Sequence, residues 1–221
     1  MDEIKIKNIF AAVSDKSILD PLLGSDLPKG LTLSKTFKNG VHFWGTEGTV
    51  KYLKSQGFSA HSVVVGFDFD GRVKTLDKSV FVRILADRTK QRHLSELRSV
   101  IARSPSISLR ATKQSKKRSL RFARDDRDAA PFDLVIVELY QTDPNSFPES
   151  MDIGGQALIR AAIKNYQNVA LAFDEKSLSD LVRHMRANQG STMLSFRINQ
   201  AKAAAEFIAT RCKMEARLFF S

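Results

Sequence analysis

Cysteine is almost absent from this chain. Cys212 stands alone among 221 residues, which excludes an intrachain disulfide and suits a reducing compartment. Long hydrophobic runs are absent too, since none approaches the roughly 20 apolar residues that span a bilayer. Met1 to Ile9 mixes Asp2, Glu3, Lys5 and Lys7 with isoleucines, unlike a secretory signal. Together these absences lead us to expect a cytoplasmic protein. Histidine is scarce: His42, His61, His93 and His184 are scattered, with no His-x-x-x-His or Cys/His ligand spacing, so no metal site is expected. No Walker or dinucleotide glycine fingerprint appears. Cys212 has no recognisable base partner and reads as packing.

What is present is an ordinary globular mixture, 43% apolar and 27% charged. The length suits one domain, residues 1–221, with one ample core. The net charge of +11 raises nucleic acid as a partner, but its distribution argues otherwise. Arg103 to Arg127 holds nine basic and two acidic residues, so seven of the eleven net charges lie there. The segment at about 104–128 is rich in basic residues and serine, poor in apolar residues and without a period. It reads as a solvated, disordered insertion rather than an RNA-binding arm. The mild positive balance of the remainder suits a site for a small anion.

Ile4–Val13 ends in the run Ile9-Phe10-Ala11-Ala12-Val13 and predicts a buried strand. Ser14 or Asp15 is placed to cap a following helix. Val41–Trp44 predicts a second strand, closed by Gly45-Thr46-Glu47-Gly48-Thr49 and followed by a helix from about Val50 to Gln56. Val63–Val65 predicts another strand. Leu134–Leu139 is apolar except for Glu138 and predicts a central parallel strand, because a strand covered on both faces need not alternate. Val169–Phe173 predicts a further one. Gln156–Lys164 predicts a helix, and Ser177 with Asp180 resembles a capping box for a helix to about Ala187. Met193–Met214 carries Leu194, Ile198, Ala201, Ala205 and Ile208 at helical spacing. This alternation predicts an α/β, three-layer sandwich around a mostly parallel, doubly wound sheet. Such sheets bind ligands at the carboxyl ends of their strands, which singles out the loops after Val13, Trp44 and Leu139.

Taken one at a time, the polar residues of these loops have plain readings. Ser14-Asp15-Lys16-Ser17 combines hydroxyls, an ammonium and helix-start amides, a set that holds phosphate or simply caps a helix. Thr46-Glu47-Gly48-Thr49 offers a close backbone approach at Gly48 and two threonine donors, or a simple turn. Arg72 and Lys74 share one side of an extended segment, and such a pair is most often solvated. Tyr140 ends the most apolar strand, where a tyrosine commonly keeps its hydroxyl at the surface. Asp152 reads as a helix cap and Lys164 as a cation complementing that helix's C-terminus.

In combination they say more. The segments Val13-Ser14-Asp15-Lys16-Ser17, Gly45-Thr46-Glu47-Gly48-Thr49, Gly71-Arg72-Val73-Lys74-Thr75-Leu76, Glu138-Leu139-Tyr140 and Asp152-Ile153-Gly154-Gly155 through Arg160-Ala161-Ala162-Ile163-Lys164-Asn165 occur in a fixed order. Once the basic insertion is removed, their spacing resembles the cyclohydrolase half of AICAR transformylase/IMP cyclohydrolase, the bifunctional enzyme of purine biosynthesis. The resemblance covers nearly the whole chain and implies a methylglyoxal-synthase-like domain. None of the 221 residues resembles the transformylase half, so a separate transformylase is the expected source of substrate. The resemblance also implies a homodimer, a ribonucleotide substrate and no cofactor, because ring closure of 5-formamidoimidazole-4-carboxamide ribonucleotide is a dehydration.

The resemblance assigns roles. It places Ser14, Lys16, Ser17, Thr46, Gly48 and Thr49 at the phosphate, with Arg72, Thr75 and Gly154 as further substrate contacts. Lys74 is expected at the formyl oxygen, where preorganised positive charge counts most. Tyr140, Asp152 and Lys164 are expected to move protons. The chain departs from the family pattern at Ala12, Ile18, Glu47, Asp77, Lys78, Glu138 and Gln141. Glu138 stands where the family has asparagine, and Glu47 is expected to point away from a bound phosphate. These departures sustain a rival reading, a decayed or regulatory nucleotide-binding domain. Two other rivals are a triose-phosphate lyase of the same fold and a nucleic-acid binder using residues 103–127.

Overall fold

A computed structural model describes residues 2–24, 40–63, 75–103 and 129–220. Arg72, Lys74 and the basic insertion at about 104–128 lie outside the described residues. Among the described residues, the main sheet has five parallel strands: β2 (Asn8–Ala12), β3 (His42–Gly45), β4 (Ala60–Ser62), β5 (Leu134–Val137) and β6 (Ala170–Ala172). Their spatial order is β4-β3-β2-β5-β6. The order runs one way from β2 to β4 and the other way from β2 through β5 to β6. The point between β2 and β5 is therefore a topological switch point, where open α/β sheets form a crevice.

Side-chain alternation explains the layers. Ile9, Ala11, Phe43, Leu134, Ile136, Ala170 and Ala172 face one side and share a core with α1 (Asp20–Leu23), α2 (Glu47–Ser55) and α6 (Glu175–Ala187). Phe10, Trp44, Val135, Val137 and Leu171 face the other. They pack on α3 (Lys78–Leu85), α5 (Ile153–Lys164) and α7 (Leu194–Arg217). Every residue of β5 is buried, as a strand covered by helices on both faces requires. The expected three-layer, doubly wound α/β sandwich is what the chain forms. A further helix, α4 (Gln91–Arg103), packs on α3 through Leu97 and Ile101.

Several boundaries differ from the pattern-based expectation. The single strand expected over Ile4–Val13 is two: β1 (Glu3–Lys5) leaves the main sheet and pairs antiparallel with β7 (Ser191–Met193). Of the strand expected at Val63–Val65, Val64 and Val65 lie outside the described residues; β4 spans Ala60–Ser62, and Val63 N donates to Gly45 O at 3.3 Å just beyond it. Ser14 and Asp15 do not cap an α-helix. A 3₁₀ turn at Ser17–Leu19 and the single turn of α1 follow them, because Pro21 falls directly after Asp20. The cap of α6 is Asp174, which accepts from Ser177 N at 2.7 Å while the Ser177 hydroxyl accepts from Asp174 N at 2.9 Å. The box thus starts three residues earlier than Ser177. No element was expected over 78–103, where α3 and α4 form, α3 capped by Asp77.

The amino ends of β2 and β5 are tied by Asp133, which is buried. Its carboxylate accepts from Lys7 N at 2.9 Å and Asn8 N at 2.6 Å, and pairs with Arg88 at 2.6 Å. This cluster lies at the end of the sheet opposite the crevice and secures the register of β2 against β5.

Candidate functional site

The carboxyl ends of β2, β3 and β5 open into a cavity of about 1000 Å³. Its lining draws on five separate stretches of chain: Ala12 to Lys16, Thr46 to Lys51, Thr75, Val137 to Gln141, and Pro148 to Leu158. Of the residues singled out from the sequence, Lys16, Thr46, Gly48, Thr75, Tyr140, Asp152 and Gly154 line it together.

Asp152 sits at the N-terminus of α5. One carboxylate oxygen accepts from Gly155 N at 2.7 Å, closing the first turn, and the other accepts from Tyr140 N at 3.2 Å. A helix cap and a clamp on the Tyr140 loop are thus one group. Gly154 and Gly155 allow this closeness, because a Cβ on the first would overlap the Thr75 hydroxyl and one on the second the Asp152 carboxylate. Tyr140 itself is 60% exposed at the rim. Its carbonyl accepts from Arg211 of α7, and Arg211 pairs at 3.0 Å with the buried Glu215. Gln156 of α5 donates to the same Glu215 at 3.1 Å. The sequence reading missed this brace; the Arg211 and Glu215 spacing of four residues on a helix is its only local sign.

On the opposite wall, Thr46 precedes α2, whose N-terminus has no side-chain cap. Amides of such an end lack intrahelical partners and favour anions. Glu47 pairs with Lys51 at 2.9 Å, both largely exposed. Thr49 is fully buried and meets the Thr46 hydroxyl at 3.1 Å, so it braces the turn from beneath. Lys16 extends beside Gly48, and its ammonium donates to the carbonyls of Val13 and Ser14 at 2.6 Å each.

Ser14 and Ser17 do not line the cavity. The Ser17 hydroxyl and amide donate to Asp15 at 2.7 and 2.9 Å, and these bonds hold the Asp15 carboxyl below its ordinary value. Ser14 is taken up by Glu138, whose Oε2 accepts from Ser14 N at 2.9 Å, the Ser14 hydroxyl at 2.6 Å and Asp15 N at 2.8 Å. Behind this loop the Tyr52 hydroxyl donates to Asp20, which pushes the phenol up to about 12.

Known proteins supply the context. No protein-family model matches the chain. The bifunctional purine biosynthesis protein PurH of Rhodopirellula baltica is 30% identical over 204 residues, covering 86% of this chain and 32% of its own length. The PurH of Paracoccus denitrificans is 31% identical over 215 residues, covering 92% of this chain and 34% of its own length. This chain is a relative of one part of PurH. It spans about a third of the length of these curated relatives. Among solved structures, the crystal structure of ForH matches with a TM-score of 0.65 and 25% identity over 96% of each chain.

The PurH resemblance also assigned a role to Lys164, and here the geometry disagrees. Asp152 and Lys164 sit at opposite ends of α5, about 18 Å apart by helical rise. Lys164 is exposed in the last turn, the place of a cation complementing the helix dipole. One chain does not bring it into the cavity. Among the described residues, no group of three His, Cys, Asp or Glu side chains is placed to hold a metal, and no helix is long and apolar enough to cross a membrane.

Proposed function

We propose that this chain catalyses the cyclohydrolase step of purine biosynthesis. In that step 5-formamidoimidazole-4-carboxamide ribonucleotide closes to inosine monophosphate and water. The observation that carries this reading is the cavity at the switch point. It gathers Lys16, Thr46, Gly48, Thr75, Tyr140, Asp152 and Gly154 from distant segments onto one surface, and each belongs to a segment that resembles PurH.

In this reading the ribonucleotide phosphate lies against the N-terminus of α2, at Thr46 and Gly48, where the helix dipole favours it. The base lies toward Tyr140 and Asp152. The carboxamide nitrogen attacks the formyl carbon of the same molecule, so the site's first task is to hold one conformer. Asp152 takes a proton from the attacking nitrogen; its two backbone donors fix its aim without consuming all its acceptor capacity. The Tyr140 hydroxyl gives one proton to the former formyl oxygen, and the formamido N–H is lost as the second proton that lets water leave and the ring C=N form. Lys74 stabilises the oxyanion, a role taken from the PurH resemblance. Lys164 has no part within one chain.

The test is direct. Purified protein is incubated with the formamido ribonucleotide and inosine monophosphate is followed. Ring closure that falls at least about a hundredfold in Lys74→Ala, with binding retained, supports the proposal. Tight binding of inosine monophosphate without any ring closure would establish the regulatory or decayed reading. Glu138 on the Ser14 and Asp15 amides is the feature that favours that second reading.

A further inference from the structure

The loop after β2 already holds an anion, and it is the chain's own. Glu138 stands immediately beyond β5, and register carries it there. Ala12 pairs with Val137, and Glu138 N donates to Ala12 O at 3.1 Å. The first residue past β5 therefore stands beside the first residues past β2. From that position one carboxylate oxygen collects two backbone amides and a hydroxyl, all within 2.6 to 2.9 Å. Consecutive amides aimed at one point are the concavity that proteins use for phosphate, and ionised acceptors make the stronger hydrogen bonds there. Glu138 also lines the cavity, together with Lys16, Thr46 and Gly48.

A phosphate and a carboxylate cannot share the same three donors, and their like charges repel at contact distance. Lys16 directs two of its three ammonium donors to the carbonyls of Val13 and Ser14 and therefore offers an incoming phosphate only the third. We infer that Glu138 is a specificity-determining residue: an internal carboxylate that competes with a ligand's phosphate for the Ser14 and Asp15 amides. A ligand's phosphate then keeps the N-terminus of α2 but not the Ser14 and Asp15 amides, so the cavity gains less from a phosphorylated ligand than an open loop would allow. The choice of purine ligands rests on the function proposed above; the competition itself does not.

The experiment titrates wild type and Glu138→Gln with inosine, inosine monophosphate and inorganic phosphate by calorimetry, after thermal melts confirm that the variant is folded. Wild type is expected to favour the monophosphate over inosine by less than the variant does. The variant is expected to bind the monophosphate about tenfold tighter or more, with inosine unchanged. Inorganic phosphate should also bind more tightly to the variant. A variant that binds both phosphate compounds no tighter than wild type overturns the inference. If neither purine binds either protein while inorganic phosphate still gains, the competition stands and the purine reading fails. Should Glu138→Gln not fold, amide resonances of Ser14 and Asp15 in wild type decide. If they stay unmoved by inorganic phosphate that shifts those of Thr46 to Thr49, the inference holds; if they move first, it falls.

Discussion

At the scale of single residues, Asp152 carries two duties that mutation can separate. Its carboxylate caps α5 and clamps the backbone of Tyr140, and in the proposed reaction it also accepts a proton. Asparagine caps a helix about as well as aspartate, whereas alanine loses roughly 1 kcal/mol of cap. Asp152→Asn keeps the cap and gives up only the bond from Tyr140 N, so it should melt nearer to wild type than Asp152→Ala while its turnover falls steeply at near-constant KM. Asp152→Ala should lose stability as well. Equal turnover for Asp152→Asn and wild type in steady-state assays would leave Asp152 a structural residue only. Glu47 illustrates the reverse case. Its carboxylate lines the cavity mouth yet is paired with Lys51 in solvent, where such pairs contribute little.

At the scale of elements, the two ends of the sheet differ in purpose. The amino end of β2 and β5 is closed by Asp133 and Arg88 at 2.6 Å, the carboxylate side chain only 3% exposed. Removing one member of such a pair strands a buried charge, which costs about 3–5 kcal/mol. Asp133→Ala should lose stability of that order in urea denaturation, whereas a loss under about 1 kcal/mol would show the pair to be solvent-screened. A second element-scale prediction concerns the junction of α6, β7 and α7. His184 accepts from Met193 N at 3.1 Å and stacks on Phe196 at 4.1 Å between centroids. Burial first, and Arg197 second, lower its pKa below the ordinary 6.5. The folded state thus binds a proton less readily than the unfolded chain, and the neutral ring's contribution is fully present above pH 6.5. Stability should fall as pH drops from about 6.5 through the lower folded value. Thermal melts of His184→Gln across that window should lack this component; parallel curves would show that His184 does not titrate differently on folding.

At the scale of the whole molecule, the described residues by themselves build a core on each face of the sheet. That segment carries eight basic and three acidic residues, five of the eleven net positive charges. A chain lacking 104–128, joined by a short Gly-Ser linker, should keep its thermal midpoint within a few degrees and its affinity for inosine monophosphate. Its retention on a heparin column should fall, because nonspecific polyanion binding follows basic charge. Loss of nucleotide affinity on deletion would instead make the segment part of the site.

Much of this was legible in the sequence because it is local. Runs such as Ile9 to Val13 and Leu134 to Val137 bury on both faces wherever a parallel sheet forms, so strand identity and the carboxyl-end location of the site follow from pattern alone. The seven cavity residues from Lys16 to Gly154 were legible through spacing and resemblance. Less local features were not. β1 separates from β2 because its partner, β7, lies near the other end of the chain. α4 shows only the narrow stripe of Leu97 and Ile101. Lys164 shares a motif with Asp152, yet helical rise carries it away from the cavity. The fate of Ser14 and Asp15 turned on a residue 124 positions distant from Ser14. Residue types and periods determined the strands of the main sheet, the helices after Asp152, Asp174 and Met193, and which loops can meet a ligand, but not α3, α4 or the separation of β1. Only the register of β5 against β2 decided that Glu138, and not an incoming phosphate, occupies the first loop, because hydrogen-bond partners are chosen by proximity in space.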